Sequence, residues 1–235
     1  MSIDKHGQEY DLDPRITYFK KCLQEQDLAL PILDKISKKT LCLQNYLLTD
    51  GNCRGLAAAC EFLDYHLVNR FLFNNCGITG KQLALILEGA VLIKDFKSLI
   101  YKSSEVTEVS LQALVPILEK RLPNNLAELK LIDCKINSTQ IEVLMSCLIE
   151  RSQLKAFSLV NVHHSEKSFE LLIVYMQNSE TLEELDISWS IIKNEMWLHF
   201  MEALSFNRTL TTLTLAYNML LEEQNYHVRR EYNEY

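Results

Sequence analysis

Residues 126–148 read LAELKLIDCKINSTQIEVLMSCL, and this stretch decides the fold. Its first half places leucines at alternate positions, at Leu129 and Leu131, as in a strand with one buried face. Its second half places apolar residues at helical spacing, including Ile141 and Leu148. The change of period predicts one strand followed by one helix. Because so small a unit cannot bury its own apolar side, further copies are expected to stack against it.

Copies of this unit recur along the chain in one fixed frame. Counting from Leu126 as position one, Leu129 is position four, which we call the anchor. The anchors are Leu41, Phe71, Leu99, Leu129, Phe157, Leu185 and Leu213, separated by 28 or 30 residues. Position six holds Leu43, Phe73, Tyr101, Leu131, Leu159, Ile187 and Leu215. Twelve, fifteen and nineteen residues after the first six anchors stand Cys53, Leu56, Cys60; Leu83, Ile86, Ala90; Leu111, Leu114, Leu118; Ile141, Leu144, Leu148; Phe169, Leu172, Met176; and Trp197, Phe200, Leu204.

The pattern LxxLxLxx(N/C)xL followed by a helix resembles the leucine-rich-repeat family, in its ribonuclease-inhibitor-like subclass with long repeats. The resemblance implies an α/β solenoid shaped like a horseshoe, with a concave parallel β-sheet, convex helices and an N-terminal helical cap. Position nine is Asn or Cys in the family and reads Tyr46, Cys76, Ser104, Cys134, Val162, Ser190 and Asn218 here, so its hydrogen-bond ladder should be incomplete. Position eleven is aliphatic in every repeat except at His164, where we expect a distorted repeat.

The repeats predict one elongated domain with a segment at each end. In order, we expect a disordered tail, the N-terminal helical cap, the solenoid of about seven repeats, and a polar segment, at residues 1–12, 13–36, 37–221 and 222–235. In the cap, one helix should start after Asp13-Pro14 and a second near Pro31. Thr139 and Glu142 are a candidate capping box for the fourth helix. The polar segment fits either a C-terminal cap or a sequence that stops inside a longer protein.

The composition favours a folded protein of the cytoplasm. Of the 235 residues, 48% are hydrophobic, and the formal net charge of −7 argues against nucleic acid as a partner. There is no run of 18 apolar residues to span a membrane, and the first residues lack the apolar core of a signal peptide. The seven cysteines are scattered without a CxxC pair, which is typical of reduced thiols.

The polar residues do not form a recognisable catalytic, metal-binding or cofactor-binding pattern. The glycines before Lys81 lack the GxxxxGK[ST] spacing of a phosphate loop. His163 and His164 are adjacent on an extended chain, so they point to opposite faces, and no cysteine stands at ligand spacing from them. Cys134 occupies a core position, where burial suppresses the thiolate. We therefore expect a protein that is not an enzyme and that uses neither a metal nor a cofactor.

The candidate binding surface lies between the inward-facing leucines. Positions five, seven and eight should face the concave side, and several of them are apolar or aromatic. Such groups with a polar rim are typical of a protein contact surface, although they could also pack against each other or against a terminal segment. The candidate partner-binding residues are Leu72, Ile100, Lys130, Ile132, Val160, Asp186, Trp189 and Tyr217. Since Trp189 and Tyr217 stand one repeat apart, we expect their rings to stack at the edge of this face.

These observations predict a non-catalytic scaffold that holds a protein partner on its concave face. One form of this hypothesis is a structural subunit of a cytoskeletal or ciliary assembly, where short repeat proteins of this kind are common. The alternative is a small-GTPase regulator, because Ran GTPase-activating proteins are similar in repeat type. Those proteins have a longer array and an acidic tail, whereas Arg229 and Arg230 lie among the last residues here.

Overall fold

The computed structural model describes residues 2–3, 9–10, 13–63, 68–118, 126–151 and 153–221, and strands and helices alternate through most of them. The strands are β1 (Ser2–Ile3), β2 (Glu9–Tyr10), β3 (Ile36–Ser37), β4 (Thr40–Gln44), β5 (Arg70–Asn74), β6 (Ser98–Lys102), β7 (Glu128–Ile132), β8 (Ala156–Val160), β9 (Glu184–Asp186), β10 (Ile191–Lys193), β11 (Thr212–Thr214) and β12 (Met219–Leu221). The helices are α1 (Pro14–Gln24), α2 (Asp50–Leu63), α3 (Gly80–Ala90), α4 (Glu108–Leu118), α5 (Ser138–Arg151), α6 (Glu166–Asn178) and α7 (Asn194–Phe206).

In the described residues, eight strands form one mostly parallel sheet in the order β3-β4-β5-β6-β7-β8-β9-β11. Within this sheet, only β3 and β4 pair antiparallel. The register joins each anchor to the anchor of the next repeat, from Leu41 with Phe71 through to Leu185 with Leu213. Because two parallel neighbours need a long crossover, one helix lies between each pair of strands. The repeat frame expected from the sequence is confirmed by this pairing.

The core lies between the sheet and the helices. In β4 to β9 the side chains at positions four and six are buried, and so are the three apolar helix positions of each repeat, apart from the half-buried Trp197 and Leu204. In β11 the same two positions, Leu213 and Leu215, are half-buried. This strand pairs with a neighbour on one side only in the main sheet, so its side chains are covered from one side.

At the N-terminal side, α1 packs against α2 and buries Tyr18 and Cys22. The carboxylate of Asp13 caps α1 by accepting a 2.8 Å hydrogen bond from the backbone N–H of Arg15, as expected. The second helix expected near Pro31 is wrong. Residues 32–35 make a single 3₁₀ turn, and the chain then enters β3 and a tight hairpin to β4.

The fourth repeat's helix is capped two residues earlier than the sequence indicated. The Asn137 side chain accepts from the N–H of Gln140 at 2.9 Å, and the Gln140 side chain accepts from the N–H of Asn137 at 2.8 Å. The candidate pair Thr139 and Glu142 is therefore wrong. Glu142 instead accepts from the Ser165 hydroxyl at 3.1 Å and pairs with Lys167 at 2.9 Å, which ties α5 to α6.

The structure describes only part of the segments that the sequence predicts at the two ends of the chain. Of the expected tail at 1–12, strands β1 and β2 are described, and they pair antiparallel with each other. The remaining residues of that tail and the polar segment 222–235 lie outside the described residues. Within the part of the chain that is described, no helix has both the length and the apolar character needed to cross a membrane.

Candidate functional site

The candidate residues lie on the face of the sheet that points away from the helices, which we call the open face. Leu72, Ile100, Lys130, Ile132 and Asp186 are half-buried there. Val160 is only 8% exposed, and the other residues of β8 are buried as well. Val160 therefore offers little area to a partner, and the accessible part of the open face lies on either side of β8.

The charged candidate on the open face is already paired. The Lys130 ammonium lies 2.7 Å from the carboxylate of Glu128, which also accepts a hydrogen bond from the Ser98 hydroxyl. Burial tends to raise the pKa of Glu128, but these two partners outweigh it and hold the pKa below its usual value. Lys130 is thus one half of an ion pair, which lowers its value as a free cation for a partner.

Position eight lies one to three residues after its strand and has a left-handed backbone in every repeat. Its φ angles lie between 51° and 59°, at Asn45, Asn75, Ser103, Asp133, Asn161, Trp189 and Tyr217. Asn and Asp tolerate this conformation because their short polar side chains hydrogen-bond locally, whereas a bulky aromatic residue is strained in it. The last two repeats therefore carry their aromatic residues at backbone positions that disfavour them.

Side chains at position eight pair along the array. The amide of Asn75 donates to the side-chain oxygen of Asn45, and that of Asn161 donates to Asp133, both at 2.8 Å. In the last two repeats Trp189 and Tyr217 stack with ring centroids 4.3 Å apart and planes tilted by 21°. This aromatic pair confirms the stacking expected from the sequence. Its members are 54% and 73% exposed, so the stack leaves much of both rings in solvent.

The backbone on both sides of Trp189 is fixed by hydrogen bonds. The N–H of Trp189 donates to the carbonyl of Ala216 at 2.9 Å. Before it, the Ser188 N–H and hydroxyl donate to the Asp186 carboxylate at 3.0 and 2.7 Å, and after it the Ser190 N–H donates to the Asn218 side chain at 2.7 Å. Asp186, a candidate partner-binding residue, thus holds the strand end that presents the aromatic pair.

A second feature was not recognised as a site from the sequence. His164 is 6% exposed and lies at the N-terminus of α6, beside a cavity of about 210 Å³ that we call the His164 pocket. Among the described residues, no group hydrogen-bonds to either of its ring nitrogens. Burial, with a contribution from His163, lowers the pKa of His164 to about 4, so the imidazole is neutral at pH 7.

The signal for this pocket was present in the sequence as the single histidine at an otherwise aliphatic position. We expected it to distort the repeat, but β8 pairs in regular register with β7 and β9, and His163 bridges to Ile191. The sheet therefore tolerates the substitution. What changes is local, because a polar ring, with both nitrogens buried, occupies the place of an aliphatic side chain beside a cavity.

The cysteines and the metal-binding residue types show no reactive arrangement where they are described. All seven cysteines are free thiols, and burial raises the pKa of Cys134 to about 12. The Cys134 thiol donates to the carbonyl of Tyr101 at 3.2 Å, as a member of the position-nine ladder. Within the residues that the structure covers, no three His, Cys, Asp or Glu side chains are arranged to hold a metal ion.

No protein-family model matches the chain, and no curated protein matches it either. The resemblance of its repeats to a known family therefore rests on the motif and on the register of the strands. Its function has to be inferred from the surface that those strands present.

Proposed function

We propose that the chain is a leucine-rich-repeat solenoid of the ribonuclease-inhibitor-like subclass, curved so that the open face is concave. The 28- or 30-residue frame and the parallel register of the anchors support this assignment. Neighbouring strands are about 4.8 Å apart, whereas packed helices need about 8–10 Å. Because the helices are wider than the strands, stacking many such units bends the array towards the sheet.

The proposed function is to hold a protein partner without catalysis, through the aromatic pair and the adjacent open face, in the cytoplasm. The observation that carries it is an exposed Trp–Tyr stack on strained backbone. Folding does not require aromatic rings at position eight, since three other repeats use Asn there. Trp and Tyr are the residue types that dominate binding energy at protein interfaces, so an interface accounts for both rings.

The test replaces both rings with the residue that the other repeats use. In Trp189→Asn/Tyr217→Asn, loss of the stack should cost about 0.5–1.5 kcal/mol. Release of left-handed strain should return about 1–2 kcal/mol per residue, or about 2–4 kcal/mol for both. The unfolding free energy of the variant should therefore exceed that of the parent by roughly 0.5–3.5 kcal/mol. Affinity capture from the native cell should lose at least one protein that the parent retains.

The matched control is Phe19→Asn, which removes a similarly exposed aromatic side chain from α1. It should retain the partner that the double variant loses. If every captured protein survives the double substitution, or if the control loses the same protein, the aromatic pair is not the binding site. Among the described residues, no observation favours the small-GTPase regulator or the ciliary subunit over a general scaffold.

A further inference from the structure

We propose that the His164 pocket binds a carboxylate group on a short aliphatic stem. The pocket lies between the N-terminus of α6 and β10, and its wall includes His164, Ser165, Phe169, Ile192, Lys193 and Met196. One of its lining residues follows Trp189 by two positions in the sequence, but the pocket and the aromatic pair are separate features. Because small anions alone can test the pocket, the outcome of that test does not depend on whether the proposed function is correct.

The first argument is the unpartnered imidazole. Buried polar groups are nearly always hydrogen-bonded, and each exception needs an explanation such as a ligand. His164 is more than nine-tenths buried, and neither ring nitrogen has a partner among the described residues. Since position eleven is aliphatic in the other repeats, the fold has no need of histidine there. A neutral imidazole offers one N–H donor, which a carboxylate oxygen can accept.

The second argument is the end of the helix beside it. α6 is 13 residues long and starts directly after Ser165, whose hydroxyl accepts from the Ser168 N–H at 3.1 Å. The first N–H groups of a helix have no acceptor inside the helix, and the helix dipole adds partial positive charge at this end. The N–H groups that open α6 are therefore additional donors for an anion in the pocket.

The third argument is the charge at the rim. Lys193 is exposed, and its ammonium lies 3.5 Å from the carboxylate of Glu166, which is a long ion pair. Lys193 can thus approach a second carboxylate by a small movement of its side chain. Because Glu166 keeps its negative charge nearby, a dianion such as phosphate is disfavoured and a monoanion is favoured.

The fourth argument is the size of the pocket and the apolar part of its wall. A cavity of about 210 Å³ accommodates a group the size of an amino-acid side chain. Phe169, Ile192 and Met196 are buried apolar residues in its wall. They suit a short chain of methylene groups behind the carboxylate. A free fatty-acid-like anion and a glutamate side chain of a partner share this chemistry.

The experiment titrates the full-length chain, labelled with ¹⁵N-histidine, at pH 7 and constant ionic strength. The probes are acetate, butyrate, inorganic phosphate and N-acetyl-glutamate amide. The variant His164→Leu assigns the His164 ring signals and should fold, because leucine occupies the equivalent position at Leu48. We expect saturable shifts of the His164 signals with acetate. Butyrate should bind about tenfold more tightly, because it has two additional methylene groups to bury.

Thermal unfolding gives a second measurement. Butyrate at about ten times its Kd should raise the Tm of the parent by about 3–6 °C and leave that of His164→Leu unchanged. Tighter binding of the blocked glutamate than of butyrate identifies a protein side chain as the source, and the reverse identifies a free anion. The proposal is overturned if no carboxylate shifts the His164 signals saturably, if phosphate binds as tightly as acetate, or if both proteins respond equally.

Discussion

At the scale of single residues, position eight combines one backbone conformation with two kinds of side chain. Asn and Asp meet the left-handed geometry at little cost and pair with the next repeat through their side chains. Trp189 and Tyr217 meet it with strain and remain exposed. The frequency of Asn and Asp in this row was visible in the sequence. The left-handed backbone was not, because alternation within a strand does not show at which residue the strand ends.

His164 yields a prediction about pH. Its pKa is about 4 in the folded protein against an ordinary value of 6.5, so the folded state favours the neutral ring. Stability is therefore complete above about pH 6.5 and is lost as the pH falls towards 4. The total loss is about 3 kcal/mol, at 1.4 kcal/mol for each pH unit. Among the other titratable groups that line the same pocket, His163 contributes to the lowered pKa of His164, and Glu166 and Lys193 pair with each other.

The measurement is urea unfolding of the parent and of His164→Leu from pH 7 to pH 4. Leucine does not titrate, so the difference in unfolding free energy between the two proteins should grow by about 3 kcal/mol over this range. His199→Gln, which removes an exposed histidine from α7, should follow the parent. Parallel curves for the parent and His164→Leu would contradict the assignment of the buried, neutral ring.

At the scale of elements, the contact between α2 and α3 depends on a glycine. A Cβ atom added at Gly89 in α3 would lie 2.5 Å from Cα of Ala57 in α2. Gly89 and the Cα atom of Ala57 each belong to a helix backbone, so neither can move without its helix. Alanine normally favours a helix over glycine by about 1 kcal/mol, but overpacking costs about 1–3 kcal/mol. We expect Gly89→Ala to lower the unfolding free energy by up to about 2 kcal/mol, measured by chemical denaturation.

The control for this contact is Glu88→Ala, one residue earlier on the exposed side of α3. Its effect should stay within about 0.5 kcal/mol, as for other surface substitutions. A stabilised Gly89→Ala protein would show that helix propensity outweighs the contact. Such an outcome would place α2 and α3 further apart than the structure has them.

Elements near Pro31 show where the sequence pattern was insufficient. The apolar residues there fit a helix, but the chain forms a 3₁₀ turn and then β3, with Lys38 and Lys39 at φ of 48° and 65°. Two consecutive left-handed residues make a tight hairpin, usually with Asn or Gly in the turn. Two lysines give no such signal. The hairpin adds β3 to the edge of the main sheet, so that β4 is paired on both sides.

At the scale of the whole molecule, each repeat is stabilised by its neighbours, so position along the array determines the cost of a core substitution. Leu131 lies in a central strand and is 2% exposed. Leu131→Ala should cost about 2–5 kcal/mol of unfolding free energy. Leu213 occupies the anchor of β11, the edge strand of the main sheet, and is half-buried, so Leu213→Ala should cost roughly half as much or less.

Thermal or urea unfolding of the two variants provides the comparison, with the parent as reference. Equal costs would mean that Leu213 is covered as completely as Leu131, which contradicts the end position of β11. A negligible cost at Leu131 would contradict the repeat register itself. The two variants therefore test both the repeat frame and the edge position of β11.

The sequence by itself determined the repeat frame, that is, which position of the repeat each residue occupies. Buried positions recur with strand and helix periods every 28 or 30 residues, and this local pattern fixes which residues face the core and which strands are neighbours. It also predicted the stacking of Trp189 and Tyr217, since residues in register one repeat apart are adjacent. Only the tertiary structure decided the burial of Val160, the left-handed strand ends and the cavity beside His164. These features depend on how the side chains and backbone of neighbouring repeats pack in three dimensions, which the spacing of residues in the sequence does not specify.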